Sequence, residues 1–219
     1  MYWKDEGYLL SKTSFNENSI IIETFTMNHG KYSGVVYGGS SRKQKKNFQI
    51  GNKILLNWRS KNENKMGYFN IELIDPIAPL FFDNKKKAIC ILSATSILKT
   101  LLPERQINKK IYFSFDRLIE QLNHEHWIKL YIFWELSLIK ELGFDSNFFK
   151  EKNIDNHIEI DNKKLAIPDL IIQKDNNSFT NFEIQKALIF NKFLIMEYFI
   201  LPNRLRLPFS RTILEKYYN

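Results

Sequence analysis

The sequence predicts an α+β protein, with a small closed β-barrel over residues 1–80 and a mainly α-helical domain over residues 81–219 that carries one short β-hairpin. Three observations predict it. From residue 7 to about residue 80, β-branched and aromatic runs alternate with period two, and short polar turns separate them. Asp75-Pro76 and Pro79 close that section, because proline cannot donate to a strand ladder. From Asp83 onward, apolar residues recur at three- and four-residue steps, the spacing of an amphipathic helix.

The strands follow in order. Tyr8–Phe15 opens the series, and Ser19–Met27 continues it with Ile20-Ile21-Ile22. A turn at Met27–Lys31, where Gly30 suits a positive φ, leads into Tyr32–Gly38. Lys53–Lys61 sets Ile54, Leu56 and Trp58 against Leu55, Asn57 and Arg59, and Gly67–Ile74 sets Phe69, Ile71 and Leu73 against Tyr68, Asn70 and Glu72. Each alternation predicts one packed face and one wet face. Five strands with no long helix between them fit a five-stranded Greek-key barrel of the oligonucleotide-binding (OB) kind, with an SH3-like barrel as second choice.

The helical half is punctuated by its breakers. A first helix runs from about Asp83 to Leu102 and stops at Pro103, a second covers Ile107–Leu122, and a third covers His124–Leu142 and ends at Gly143. His157–Ile160 and Lys164–Ile167 flank Asp161-Asn162 as a short hairpin. Thr180-Asn181-Phe182-Glu183 is a capping box opening a helix to about Phe199. Pro202 and Pro208 bracket a basic stretch, and Ser210 is placed to cap a last short helix.

The composition, 44% hydrophobic and 15% aromatic, belongs to a packed globular chain. The formal charge is +8, which suits a polyanionic partner. The chain is rich in Lys, Asn and Ile throughout, so clustering carries more weight than the total. Clustering is present. Arg42–Lys65 holds eight cations against the single acid Glu63. Cys90 is the only cysteine, so no intramolecular disulfide or thiolate metal cage can form, and its apolar neighbours predict a core position. The charged start Met1–Gly7 has no apolar signal region, and no run of about 18 apolar residues is free of charge. A soluble, cytoplasmic protein with no membrane partner is expected.

Within the basic cluster, Tyr37-Gly38-Gly39-Ser40-Ser41 runs straight into Arg42-Lys43-Gln44-Lys45-Lys46. Glycines and serines leave backbone N–H groups open to a phosphate while the cations neutralise it, although a solvated loop would read the same way. Tyr37, Phe48 and Trp58 interleave with these cations as stacking candidates. Trp58 fits the barrel core better, alongside Ile54 and Leu56, and the other two stay open. His124-Glu125-His126 offers no metal site, since i and i+2 point to different helix faces. No phosphate-binding loop, dinucleotide fingerprint or nucleophile elbow occurs, so no enzyme is expected. Arg204-Leu205-Arg206-Leu207-Pro208-Phe209-Ser210-Arg211 mixes arginines with apolar residues. It reads either as a solvated connection or as a pocket for an acidic, apolar-ended peptide.

Several of these stretches, taken together and in order, resemble the RecO family of bacterial recombinational repair proteins. They are Trp3–Leu10, Thr26–Lys31, Gly34–Arg42, Gln49–Asn52, Leu101–Arg105, Phe133–Phe144 and Leu207–Arg211. The resemblance implies an N-terminal OB barrel and a helical domain. It also implies binding of single- and double-stranded DNA, strand annealing, work with RecR, and docking on the C-terminal tail of single-strand-binding protein. It brings no catalytic residues and no cofactor. The chain departs from many members in having no cysteine between Gly143 and Asn219, so no zinc ribbon is expected.

The expectations are then specific. Lys31, Tyr37, Arg42, Lys43, Lys45, Lys46, Lys53, Arg59 and Lys61 form the DNA-binding set, and Arg204, Arg206 and Arg211 form the partner-binding set, on a protein monomeric by itself. The alternatives are an RNA-binding barrel protein or an interaction adaptor without annealing activity.

Overall fold

The computed structural model describes residues 1–41, 44, 47–62, 65–144, 156–160, 163–173 and 178–219. They fall into two compact units, Met1–Tyr112 with Pro208–Leu214, and Phe113–Leu207 with Glu215–Asn219.

The first unit is built on a closed barrel of β1 (Tyr2–Ser14), β2 (Ser19–Thr26), β3 (Gly30–Tyr37), β4 (Lys53–Arg59) and β5 (Gly67–Asp75). Its order, β1-β2-β3-β5-β4, closes through antiparallel pairing of β1 with β4 and a short parallel contact of β3 with β5. This is the OB topology expected. The expected alternation holds along β4 and β5, where Ile54, Leu56, Trp58, Phe69 and Ile71 are buried in the core with Leu9 and Ile22. Phe48 joins them and is 1% exposed, which settles it as a core residue.

The largest boundary difference in the barrel is at its start. β1 starts at Tyr2 rather than Tyr8, because a single long strand pairs with β4 over Tyr2–Tyr8 and with β2 over Gly7–Ser14, with its register shifting at Leu9/Ser11. Trp3-Lys4-Asp5-Glu6 has little intrinsic strand preference, and only its cross-barrel partners make it one. The same early residues hold down the β2–β3 turn. The buried Asp5 carboxylate accepts from the N–H groups of Glu6 and Asn28, from Asn28 Nδ2, and pairs with His29 Nδ1 at 2.9 Å. Burial pushes the Asp5 carboxyl up, but the bonds from His29, Asn28 and Glu6 together hold it below its ordinary value. The His29 ring stacks on Trp3 at 4.0 Å, and Trp3 stacks on Trp58 at 5.6 Å, so the turn is tied to the core.

A 3₁₀ turn at Ala78–Phe81 leads to α1 (Lys85–Leu101), capped by Asn84, whose side chain accepts from the Lys87 N–H. Cys90, Ala94, Ile97 and Leu98 are buried on its inner face, as the cysteine's apolar surroundings predict. The chain then returns along β3, with the Arg105 N–H donating to the Lys31 carbonyl at 2.8 Å. Gly30 makes this approach possible. Its φ is +74°, and a Cβ there would lie 2.1 Å from the Gln106 carbonyl oxygen.

α2 spans Lys109–Glu120, with Asn108 accepting from the Ile111 N–H. In the second unit, α3 (Trp127–Glu141) packs on α5 (Asn181–Ile195). Buried Glu135 accepts from the Tyr131 hydroxyl at 2.6 Å and from Asn191 Nδ2 at 3.1 Å. α3 begins at Trp127, not His124, because Gln121–Asn123 form a 3₁₀ turn and His124 is extended. β6 (His157–Ile160) and β7 (Lys163–Ala166) form the expected hairpin, α4 spans Asp169–Ile172, and the capping box at Thr180 and Glu183 is formed. α5 passes into a π-helical turn at Met196–Ile200. α6 (Phe209–Lys216) starts directly after Pro208, so Ser210 lies inside it. Its hydroxyl donates to the Leu92 carbonyl at 3.1 Å instead of capping the helix. Among the described residues, no helix is long and apolar enough to cross a membrane.

Candidate nucleic-acid interface

The outward face of the barrel carries a row of side chains drawn from four strands. Tyr2 on β1 lies directly opposite Arg59 on β4, and Arg59 lies directly opposite Tyr68 on β5. Directly opposed residues share a face of the sheet. Tyr68 also pairs with Val35 on β3, which brings Tyr37 alongside it. Their inner neighbours, Trp3, Trp58 and Phe69, pack within the barrel, so strict alternation turns this row outward.

The geometry suits a flat, anionic ligand. Tyr2, Tyr37 and Tyr68 are 58%, 69% and 40% exposed. The Arg59 guanidinium sits 5.1 Å from the Tyr2 ring centre, and the Tyr2 hydroxyl donates to Asn57 Oδ1 at 3.1 Å. The rings of Tyr37 and Tyr68 lie 6.0 Å apart and tilted by 53°. Three wet aromatic faces and a cation can stack bases and neutralise a phosphate without reading sequence.

The expected DNA-binding residues do not all gather here. Tyr37 and Arg59 belong to the row, and Lys61 is exposed just beyond the end of β4. Lys53 stands at the opposite end of that strand, roughly 20 Å away at the rise of an extended chain. There its ammonium lies 3.8 Å from Glu6 and over the Tyr8 ring. Arg42, Lys43, Lys45 and Lys46 lie outside the described residues. Lys31 is buried, and its ammonium donates to the Lys99 carbonyl at 2.8 Å near the C-terminal end of α1, where a cation is favourable. Burial is the main reason that its pKa falls below the ordinary 10.5. This takes Lys31 out of the interface and gives it a structural role.

Sequence reasoning did not name Tyr2 and Tyr68 as site residues. The signal for Tyr68 was its alternation opposite Phe69. Tyr2 had none, because its strand exists only through pairing with β4.

The arginine set divides as well. Arg204 and Arg206 are exposed, and Arg204 has a φ of +54°. Arg211 is 0% exposed, so it cannot meet a peptide at the surface. Among the described residues, no three or more His, Cys, Asp or Glu side chains gather where a metal ion could be held.

Comparison with known proteins follows the two parts of the chain. Residues 1–77 match the family model described as recombination protein O N terminal, and residues 85–171 match that described as recombination protein O C terminal. Proteins named DNA repair protein RecO are similar to it. That of Roseobacter denitrificans is 34% identical over 145 residues, covering 66% of this chain and 60% of the relative. That of Wolbachia pipientis subsp. Culex pipiens is 34% identical over 152 residues, covering 68% and 62%. One from Cereibacter sphaeroides is 36% identical over 148 residues, covering 66% and 60%. The matched stretch therefore spans about 60% of the length of these curated relatives.

Proposed function

The chain belongs to the recombination protein O family, and on that premise we propose that it is a DNA-binding mediator of repair and recombination that anneals complementary strands. The observation that carries this reading is the outward row Tyr2–Arg59–Tyr68–Tyr37 on an OB barrel. Tyrosine faces hold bases of a single strand by stacking, and Arg59, Lys61 and the basic run Arg42, Lys43, Lys45 and Lys46 neutralise phosphates. A strand whose charge is offset repels its complement less, so pairing is accelerated. Nothing in the row reads base edges, so sequence preference is weak.

The partners in this reading are single- and double-stranded DNA, RecR, and the acidic C-terminal tail of single-strand-binding protein, with Arg204 and Arg206 as exposed candidates for the tail. The protein acts in the bacterial cytoplasm, is monomeric alone, and uses no cofactor.

A fluorescence annealing assay, with and without single-strand-binding protein, tests the proposal. Changing Arg42, Lys43, Lys45 and Lys46 to Glu should abolish tight binding and annealing. Changing them to Ala should flatten the slope of log affinity against log salt by roughly 3, at about 0.7 per single-strand phosphate released. Unchanged annealing, affinity and slope would refute the reading, and stronger binding of RNA in direct competition would replace it with an RNA-binding one.

A further inference from the structure

The open end of the barrel offers a second surface. Lys12 and Ser14 on β1 pair with Ile22 and Ile20 and share their face of the sheet, but both are exposed, so they stand at the rim of the barrel mouth. Together with Thr13 and Asn16 on one side and Gly39 and Ser40 on the other, they line a cleft of about 580 Å³. That volume falls within the range of small-ligand sites, which recur at barrel mouths.

The chemistry of the lining is selective. Ser14, Ser40 and Asn16 bring hydroxyls and an amide to a lining that also holds the apolar Ile20. Among the described lining residues, Lys12 donates to the Phe48 carbonyl at 2.6 Å, and Glu17 supplies a carboxylate. Hydrogen-bonding groups beside an apolar floor fit a nucleobase, whose polar edge and flat face they can meet together.

The cleft also adjoins the tyrosine row. The Phe15 N–H donates to the Ser19 carbonyl at 3.0 Å, and Ser19 pairs with Tyr37. Two strand spacings thus separate Phe15 from Tyr37, about 10 Å, or about three stacked nucleotides of one strand. Phe15 is 55% exposed beside the cleft. Gly38, with φ +71°, turns the chain from Tyr37 into the cleft, and a Cβ on Gly39 would lie 2.7 Å from Ile20 Cγ1.

We infer that the barrel mouth takes an unstacked base of the same single strand that crosses the tyrosine row, with its phosphate left at the rim. This rests on the DNA-binding reading, and the test separates the two. Binding of oligothymidylates of increasing length would be measured for the full chain, Ser40→Leu and Tyr68→Ala. Ser40→Leu should match the parent on the shortest oligonucleotides and weaken at least about fivefold on longer ones, the low end for one lost base. Tyr68→Ala should weaken binding at every length. A photoreactive benzoylphenylalanine at position 16 should crosslink to oligothymidylate and not to an abasic oligomer. If Ser40→Leu equals the parent at all lengths while Tyr68→Ala is weakened, the mouth inference is overturned alone. If neither variant differs, the DNA reading falls too. Should Ser40→Leu not fold, absence of base-dependent crosslinking at position 16 overturns the inference.

Discussion

Replacing Tyr68 by Ala should weaken single-strand binding without unfolding the barrel. The ring is 40% exposed and lies 6.0 Å from the Tyr37 ring, while the core beneath is filled by Phe69 and Trp58. The cost to folding is then that of a cross-strand surface pair, about 0.2–1 kcal/mol. The cost to binding is one stacked base, about 1–3 kcal/mol, or roughly 5- to 150-fold in Kd. Arg59→Gln acts through a different force. It removes one phosphate contact and should lower the salt slope by about 0.7, whereas Tyr68→Ala should shift affinity and leave the slope unchanged. The two residues face each other directly, so the double variant should depart from additivity by at least about 0.5 kcal/mol. Fluorescence anisotropy with a labelled oligothymidylate across a salt series measures all three quantities, and thermal unfolding confirms that each variant is folded. Parental affinity and slope in both folded single variants would refute the assignment of the row.

Other outcomes follow from the same geometry. Lys31→Met should cost about 1–2 kcal/mol of stability at neutral pH by removing the bond to the Lys99 carbonyl, and leave oligonucleotide affinity unchanged. Because burial lowers the Lys31 pKa from 10.5, the parent should gain stability relative to this variant as pH rises through the lowered value toward 10.5. Urea unfolding at several pH values would show it, and a widened gap in DNA affinity would return Lys31 to the interface. Asp5 gives the same sign of slope in the acid range, here because its ionised form is the one the fold favours. Its carboxyl is held below 3.8, so its contribution is full above that value and is lost as pH falls through the lower folded one. Acid unfolding of the parent should therefore include a fall in stability that Asp5→Asn lacks, and identical acid limbs would contradict this. Arg204→Glu with Arg206→Glu should weaken capture of an acidic, Phe-ended peptide at low salt while the fold is kept. Arg211→Glu should instead destabilise the protein, by about 3 kcal/mol or more, since it reverses a fully buried charge.

Local pattern carried much of this molecule. The alternations at Lys53–Lys61 and Gly67–Ile74, the breakers Pro103 and Gly143, and the capping box at Thr180 each act over a few residues, so they are readable without knowing what lies across the chain. The same range of physics made Cys90 and Trp58 legible as core residues. Tertiary structure decided the rest. Tyr2–Glu6 is a strand because β4 pairs with it, and Lys31 is buried because α1 ends above it. Arg211 has the same residue type as Arg204 and the opposite environment. Composition reports that a cation exists, and only the packing of distant segments reports whether water or a ligand can reach it. The tyrosine row is the clearest case. Residues 2, 37, 59 and 68 have no sequence relation, and strand register alone aligns them on one face.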